Sequence, residues 1–361
     1  MKALPPDLLA ILQQPVLHDA DLDTQATFFE REEVQSFYFD TLENPDKDDV
    51  LRASAGLLSG LHPHRAALLA LLCGALVENG ADPRLLFDAA QGLMGRLLAS
   101  LAPYCAMAPQ EVEADEAQDE EELEALAAWQ AANAALEALA PQERFEVGAR
   151  QAAVDLLVLP LMAMVVRNVH NHRALLADGA LMSHIEAMYA NDALPFEQLH
   201  FLRGAAQLAY EDELVVLLPT SRAGMVVKAH GINNNFHAFS LLQDLMREHA
   251  TTLGIRQSFA ERPAADDEDD PRDSDAAEYL WLQATAFANG ELVDGMAWSC
   301  GEGTLRENAR RQGKLVLVAV ETEDKPSRSW NGFSGVLHSE QKAHVSLVRF
   351  LTPDEVAAYL A

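Results

Sequence analysis

The sequence predicts an α+β protein: a large all-helical N-terminal part, residues 1–212, followed by a smaller mixed α/β domain, residues 213–361. Three observations predict this. Up to about Asp212, apolar residues recur at helical spacing, and Pro or Gly punctuates the segments. From Glu213 the pattern changes to short β-branched runs bounded by turn residues. Asn289-Gly290 stands between two such runs, which is the strongest short-range hairpin signal a sequence can carry.

Taken in order, Leu4–Gln14, Thr24–Leu42, Asp46–Leu61, Pro63–Asn79 and Pro83–Leu101 each read as one helix. Asp82 is an N-cap with Pro83 in the first turn, and Asn44-Pro45-Asp46 separates two of the segments. Gln118–Ala140 is a long Ala/Glu/Leu helix. Pro141 opens the next, through Arg150 to about Asp178, followed by Leu181–Ala190 and Pro195–Tyr210. No self-similar period runs through these segments, so a solenoid is not supported. Glu213–Pro219 and Met225–Ala229 read as hairpin strands, and Phe236–Leu253 as an amphipathic helix. Tyr279–Ala288 and Glu291–Trp298 flank the Asn-Gly turn. Thr304–Gln312 reads as a short helix, and Lys314–Glu321 and His344–Phe350 as the last strands. Thr352-Pro353-Asp354-Glu355 is a capping box opening a final helix.

The most apolar window, Ala152–Val166, contains Asp155 and Pro160 and lies between Arg150 and Arg167. A membrane span needs about 20 predominantly apolar residues, so this reads as a buried helix kinked at Pro160. The N-terminus has one Lys, a Pro pair and an Asp before a short apolar stretch, which is no export signal. Three widely spaced cysteines make neither a disulfide framework nor a zinc knuckle. The expected location is the cytoplasm.

Charge excludes more than any motif does. With 26 Lys+Arg against 56 Asp+Glu, the net charge is −30. Such a chain repels nucleic acid and anionic membrane, and its natural partner is a basic protein. Two acidic runs stand out. Glu111–Glu124 has no basic residue, and 261–275 has only Arg262 and Arg272. Acidic residues also suit the first turn of a helix and solvated loops, so the runs alone decide nothing. As a docking surface they put forward Glu120, Glu121 and Glu122, and Asp266, Asp267, Asp269 and Asp270. Trp330, in a polar Gly-containing loop, is the candidate apolar anchor.

Twelve histidines form no metal motif. His170 and His172 project from opposite sides of a predicted helix. His62-Pro63-His64 sits at a helix start, with no carboxylate or Cys at ligand spacing after it. His184-Ile185-Glu186 lacks the Pro-Cys-x-x-Cys half of a zinc deaminase signature. Gly231–Phe236 carries no phosphate-loop pattern, and Ser221 no nucleophile elbow. No metal and no cofactor is expected.

Cys300, in Trp298-Ser299-Cys300-Gly301-Glu302-Gly303 between a predicted strand and a short helix, is the one nucleophile candidate. A helix N-terminus lowers a thiol's pKa, although Glu302 opposes this. His338 and His344 follow, the second on a predicted strand. This order, Cys at a helix start and His on a later strand, resembles papain-type hydrolases over this corner of the chain only. The resemblance implies Cys300 as nucleophile and His338 or His344 as base.

Three functions follow. The first is a non-enzymatic acidic protein-binding module, such as an immunity-type inhibitor or adaptor capturing a basic partner, and a third is mimicry of nucleic acid by the acidic surface, occupying a nuclease's cleft. The alternative is a cysteine hydrolase or transferase using Cys300 with His338 or His344.

Overall fold

The computed structural model describes residues 4–43, 47–107, 120–232, 235–255, 276–278, 281–284, 287–288, 291–292, 296–297, 304–307, 310–321, 327–329 and 340–361. They form an α+β chain of two compact units, Met1–Ala206 and Gln207–Ala361.

The first unit is built from α1 (Pro6–Leu12), α2 (Gln25–Phe29), α3 (Glu32–Leu42), α4 (Lys47–Leu57), α5 (Pro63–Glu78), α6 (Arg84–Leu101), α7 (Glu120–Glu137), α8 (Pro141–Val166), α9 (Val169–Ala177), α10 (Gly179–Met188) and α11 (Leu199–Gln207). At its centre α5 packs against α8. A helix apolar on every side must be buried on every side. In α5, the 13 residues His64–Gly74, Leu76 and Val77 are buried out of 16. Each fully buried Leu there contributes about 2 kcal/mol. The two helices meet where a Cβ on Gly74 would lie 2.7 Å from Cα and Cβ of Pro160, so only glycine permits this approach. Helix α8 continues through Pro160 to Val166. It is one of two described helices long and apolar enough to cross a membrane, and 67% of its most apolar window is buried inside the unit.

The second unit contains β1 (Ala209–Leu218), β2 (Ala223–Ile232), α12 (Asn235–Glu248), α13 (Ala250–Leu253), β3 (Ala276–Glu278), β4 (Trp281–Ala284), β5 (Phe287–Ala288), β6 (Glu291–Leu292), β7 (Met296–Ala297), β8 (Arg310–Arg311), β9 (Lys314–Glu321), β10 (Ser327–Ser329), β11 (His344–Phe350) and α14 (Pro353–Leu360). The main sheet runs β11-β2-β1-β9-β4-β7, with β8 added beside β9. β1 is antiparallel to β2 and parallel to β9. Residues two apart on a strand share a face. Leu214, Val216 and Leu218 therefore join Leu242 and Met246 of α12 in one core. Val215 and Leu217 join Val356 and Tyr359 of α14 in another. The sheet is thus covered on both faces. The capping box of α14 forms as expected, with the Thr352 side chain accepting from the Glu355 N–H. The pairs Phe287↔Leu292 and Ala288↔Glu291 are antiparallel on either side of Asn289-Gly290, which itself lies outside the described residues.

Several elements differ from the sequence reading. Phe236–Leu253 is two helices, α12 and α13, and the described strands within Tyr279–Ala288 and Glu291–Trp298 are β4 and β5, and β6 and β7. Thr24–Leu42 is two helices, because Arg31 is extended (φ −67°, ψ 130°) and interrupts the helical hydrogen bonds. The segment from Pro141 to Asp178 is also two, divided where the Asn168 side chain caps α9 through the His170 and Asn171 N–H groups. Strand β1 starts at Ala209, earlier than Glu213, since Tyr210 and Asp212 pair with β2 across register shifts that hide the alternation. Instead of a helix over Thr304–Gln312 there is a single 3-10 turn, Leu305–Glu307, and then β8, whose Arg310 and Arg311 pair with β9.

Candidate functional site

The structure places few of the residues singled out from sequence. Glu120, Glu121 and Glu122 form the first turn of α7, and their side chains lie outside the described set. Asp266, Asp267, Asp269, Asp270, Cys300, Trp330 and His338 also lie outside the described residues. His344 is described: it is exposed at the start of β11, opposite His230 of β2. The two rings stack with centroids 5.0 Å apart, and Tyr210 meets His230 edge-on, also at 5.0 Å. The His344 Nδ1 lies 3.1 Å from the Lys342 carbonyl, so that nitrogen is already engaged within its own segment. Glu211 holds φ +57° at the irregular start of β1, with its carboxylate 3.0 Å from Lys228 Nζ and 3.2 Å from His230 Nδ1. Burial pushes the Cys73 and Cys105 thiols up to about 12, so neither is a nucleophile at neutral pH. Among the described residues no group of three or more His, Cys, Asp or Glu is arranged to hold a metal.

A different site emerges in the helical unit. A cleft of about 450 Å³ is bounded by four segments: 22–25, the start of α5, one face of α8, and 197–198 before α11. Gly148, Gln151, Ala152, Asp155 and Leu159 fall at i, i+3, i+4, i+7 and i+11 along α8, which puts them on one wall.

On the side of segment 22–25 and the start of α5 stands a charge cluster. Arg65 is 2% exposed, and its Nη1 donates to Asp23 Oδ2 at 2.5 Å. Arg31 Nη2 donates to both Asp23 oxygens, at 2.8 and 2.9 Å. Burial raises the Asp23 carboxyl, but the hydrogen bonds from Arg31 and Arg65 outweigh it and hold the carboxyl below its usual range. Asp23 is therefore an anion consumed by two cations. Arg31 is the extended residue that divides α2 from α3.

His64 belongs to the same cluster. It is 1% exposed, and its Nε2 lies 3.0 Å from the Asp23 carbonyl oxygen. A carbonyl only accepts, so Nε2 carries the proton and Nδ1 carries the lone pair. That Nδ1 is buried and has no hydrogen-bond partner. Burial, aided by Arg65, pushes the imidazole down to about 4, so it is neutral at pH 7. The neighbouring His62 caps the helix by accepting the His64 N–H at 3.3 Å.

Across the cleft, Asp155 Oδ1 accepts the Gln198 N–H at 3.0 Å, and the Gln151 amide donates to the Pro195 carbonyl. These bonds tie residues 195–198 to α8. Burial raises the Asp155 carboxyl above its usual range, with the backbone hydrogen bond from Gln198 opposing it. Glu197, exposed, adds a second carboxylate. No Lys or Arg is among the lining residues, so the site offers acceptors and negative charge.

The one local signal of this constellation in the sequence is Asp155, the lone carboxylate in the most apolar window. Asp23 lies 41 residues from His64, beyond the reach of any spacing motif. No family model, no curated protein and no solved structure matches the chain.

Proposed function

We propose that the chain is a non-enzymatic acidic protein-binding module, an immunity-type inhibitor or adaptor that captures a basic partner protein in the cytoplasm. The observation supporting this reading is the sign and distribution of charge. Residues 1–206 carry 32 Asp and Glu against 12 Lys and Arg, a net −20 of the −30 total. The cleft of the same unit is lined by the carboxylates Asp155 and Glu197 and by no Lys or Arg, with the third lining carboxylate, Asp23, neutralised by Arg31 and Arg65. A surface of one sign steers an oppositely charged partner and speeds encounter, while desolvated contacts set dissociation. The free thiols of Cys73 and Cys105 agree with a reducing compartment.

The test is affinity capture from the native host followed by kinetics on the purified pair. The recovered partner is expected to be basic. Its on-rate should fall steeply as salt shortens the Debye length to about 10 Å at 0.1 M, while the off-rate changes little. An acidic partner with a salt-independent on-rate overturns the reading.

A further inference from the structure

We infer that the outward face of α3 docks the basic partner, with Phe39 as the apolar anchor and the carboxylates around it as the rim. This rests on the function proposed above and names the surface that performs it.

The first observation is an aromatic side chain that the fold does not use. Val34, Phe37 and Thr41, at i, i+3 and i+7, are the buried residues that seat α3 on the core. Phe39 projects from the other side of the helix and is 60% exposed. A single exposed apolar residue is ordinary, but this one ends a ladder of rings. Phe28, fully buried, meets Phe29 edge-on with centroids 5.7 Å apart. Phe29 meets Tyr38 at 6.1 Å, and Tyr38 meets Phe39 at 5.6 Å. Tyr38 is fixed in turn, its hydroxyl accepting from Asn79 Nδ2 at 3.1 Å. Half-buried Phe29 and Tyr38 therefore carry the core outward to Phe39 as one apolar strip. Aromatic rings at the centre of a contact are what distinguishes an interface from the rest of a surface.

The second observation, independent of the first, selects the occupant by charge. Glu30, Glu32, Glu33, Asp40 and Glu43 are all exposed on α3 and its two ends, and none has an ion pair among the described residues. Glu32 and Glu43 stand at i−7 and i+4 from Phe39, on its own face of the helix. The cations close by are spent elsewhere, Arg31 on Asp23 and Lys47 on the Asn79 carbonyl at 2.8 Å. Elsewhere in the unit carboxylates meet a partner, Asp82 with Arg84, Glu78 with Arg167 and Glu186 with Arg203. An apolar centre inside a charged rim is the anatomy of a binding hot spot, and a rim of one sign selects a partner of the other. The face therefore fits a protein surface with an apolar pocket bordered by Lys or Arg. A second copy of this chain would set five carboxylates against the same five.

The test puts the photo-crosslinker p-benzoyl-phenylalanine at position 39 of the full-length protein in its native host. Position 201 is the control, since Phe201 is also an exposed aromatic, at 37%. Irradiation should join position 39, and not position 201, to a basic protein. On the purified pair, Phe39→Ala should raise the off-rate about 30-fold and leave the on-rate and its salt dependence unchanged. Glu32→Gln combined with Glu43→Gln should lower the on-rate several-fold at low salt and leave the off-rate nearly unchanged. A general loss of structure would not divide the two rate constants in this way. No adduct at position 39, an equal adduct at position 201, or an off-rate indifferent to Phe39→Ala overturns the docking face. In each of these cases the function stands if the protein recovered by affinity capture is basic. An adduct of two copies of the chain assigns the face to self-association and overturns the inference likewise. An acidic protein joined at position 39 overturns the function itself, and with it the partner named for this face.

Discussion

The two units hold their charges in different ways. In the helical unit the most deeply buried pair, Arg65–Asp23, is 2% and 10% exposed and is shared with Arg31. In the sheet unit Glu213–Lys314, Glu211–Lys228 and Arg349–Glu355 all lie on rims, each partner more than a third exposed. Among the described residues there, Arg306–Asp212 is more enclosed, at 19% and 27%. The helical unit also carries most of the net charge, 32 acidic against 12 basic residues, where the sheet unit has 24 against 14. The unit under greater self-repulsion is thus the one with a buried ionic knot between its first hundred residues. Exposed pairs are worth little, but breaking a buried one strands a charge.

The sharpest way to break this contrast is to remove one partner from each unit. Asp23→Ala leaves the Arg65 guanidinium buried without its carboxylate and should cost about 3–5 kcal/mol. Glu213→Ala, on the rim, should cost under about 1 kcal/mol. Urea denaturation followed by circular dichroism at 222 nm measures both. Adding Arg65→Met to Asp23→Ala should recover much of the loss, since the stranded charge disappears. If the two single variants lose equal stability, burial is not what distinguishes the pairs.

Acid should also separate the units. His64 is held at about 4 when folded against 6.5 when unfolded, so the unfolded chain binds more protons between those values. The stabilisation is complete above pH 6.5 and is lost as pH falls to about 4, by about 3 kcal/mol. In the sheet unit, the Arg349 and Thr352 hydrogen bonds push the Glu355 carboxyl down from 4.5 to about 2. Its contribution is present above pH 4.5 and is lost only as pH falls toward 2. Thermal unfolding scans from pH 7 to pH 3 should show most of the change above pH 4, with the slope flattened in His64→Asn. A decline confined to pH below 4 would assign acid lability to the carboxylates instead.

What could be read from sequence followed how local each cause was. The capping box at Thr352–Glu355, the Asn289-Gly290 hairpin and the periodicity of α5 and α6 each depend on residues within one or two turns. The ion cluster at Asp23 joins Arg31, at the break between α2 and α3, to Arg65 of another helix. The cleft needs four segments between residues 22 and 198, and no spacing rule relates them. The parallel pairing of β1 with β9 is likewise a long-range choice, with Leu214 opposite Leu315. Among the residues nominated for binding or catalysis, only His344 has a described side chain. Its stacking on His230 arises from strand register, which no single strand reveals.

Glycine substitutions sharpen the comparison at a smaller scale. An interior helical Gly ordinarily gains about 1 kcal/mol when changed to Ala. Gly74→Ala should lose stability instead, by about 1–3 kcal/mol, because its Cβ would overlap Pro160 at 2.7 Å. In the sheet unit Gly231→Ala meets the Gln341 carbonyl oxygen at 2.5 Å from a backbone with φ +67°. It should lose a similar amount through strain in both contact and dihedral. Gly148→Ala, in open space on α8, should keep the ordinary gain. Denaturant midpoints of the three variants decide this. A gain at Gly74 would mean that α5 and α8 can separate at little cost.

The smallest expected effect concerns the acidic start of α7 and needs two readouts. Glu120, Glu121 and Glu122 occupy its first turn, where carboxylates interact favourably with the helix dipole. Replacing all three by Gln removes about 0.3–1 kcal/mol of helix stabilisation per charge at low salt, less where the charges repel one another. The same change removes three negative charges from the unit that carries −20. If these glutamates serve the helix alone, the variant should unfold slightly earlier and bind the basic partner at an unchanged on-rate. If they also steer, the on-rate should fall at 50 mM salt and converge with the wild-type rate at high salt, where both are screened. Stability and association rate measured on the same preparation therefore separate the two roles. A lower on-rate that persists at high salt would instead indicate direct contact, because screening leaves short-range desolvated interactions largely intact.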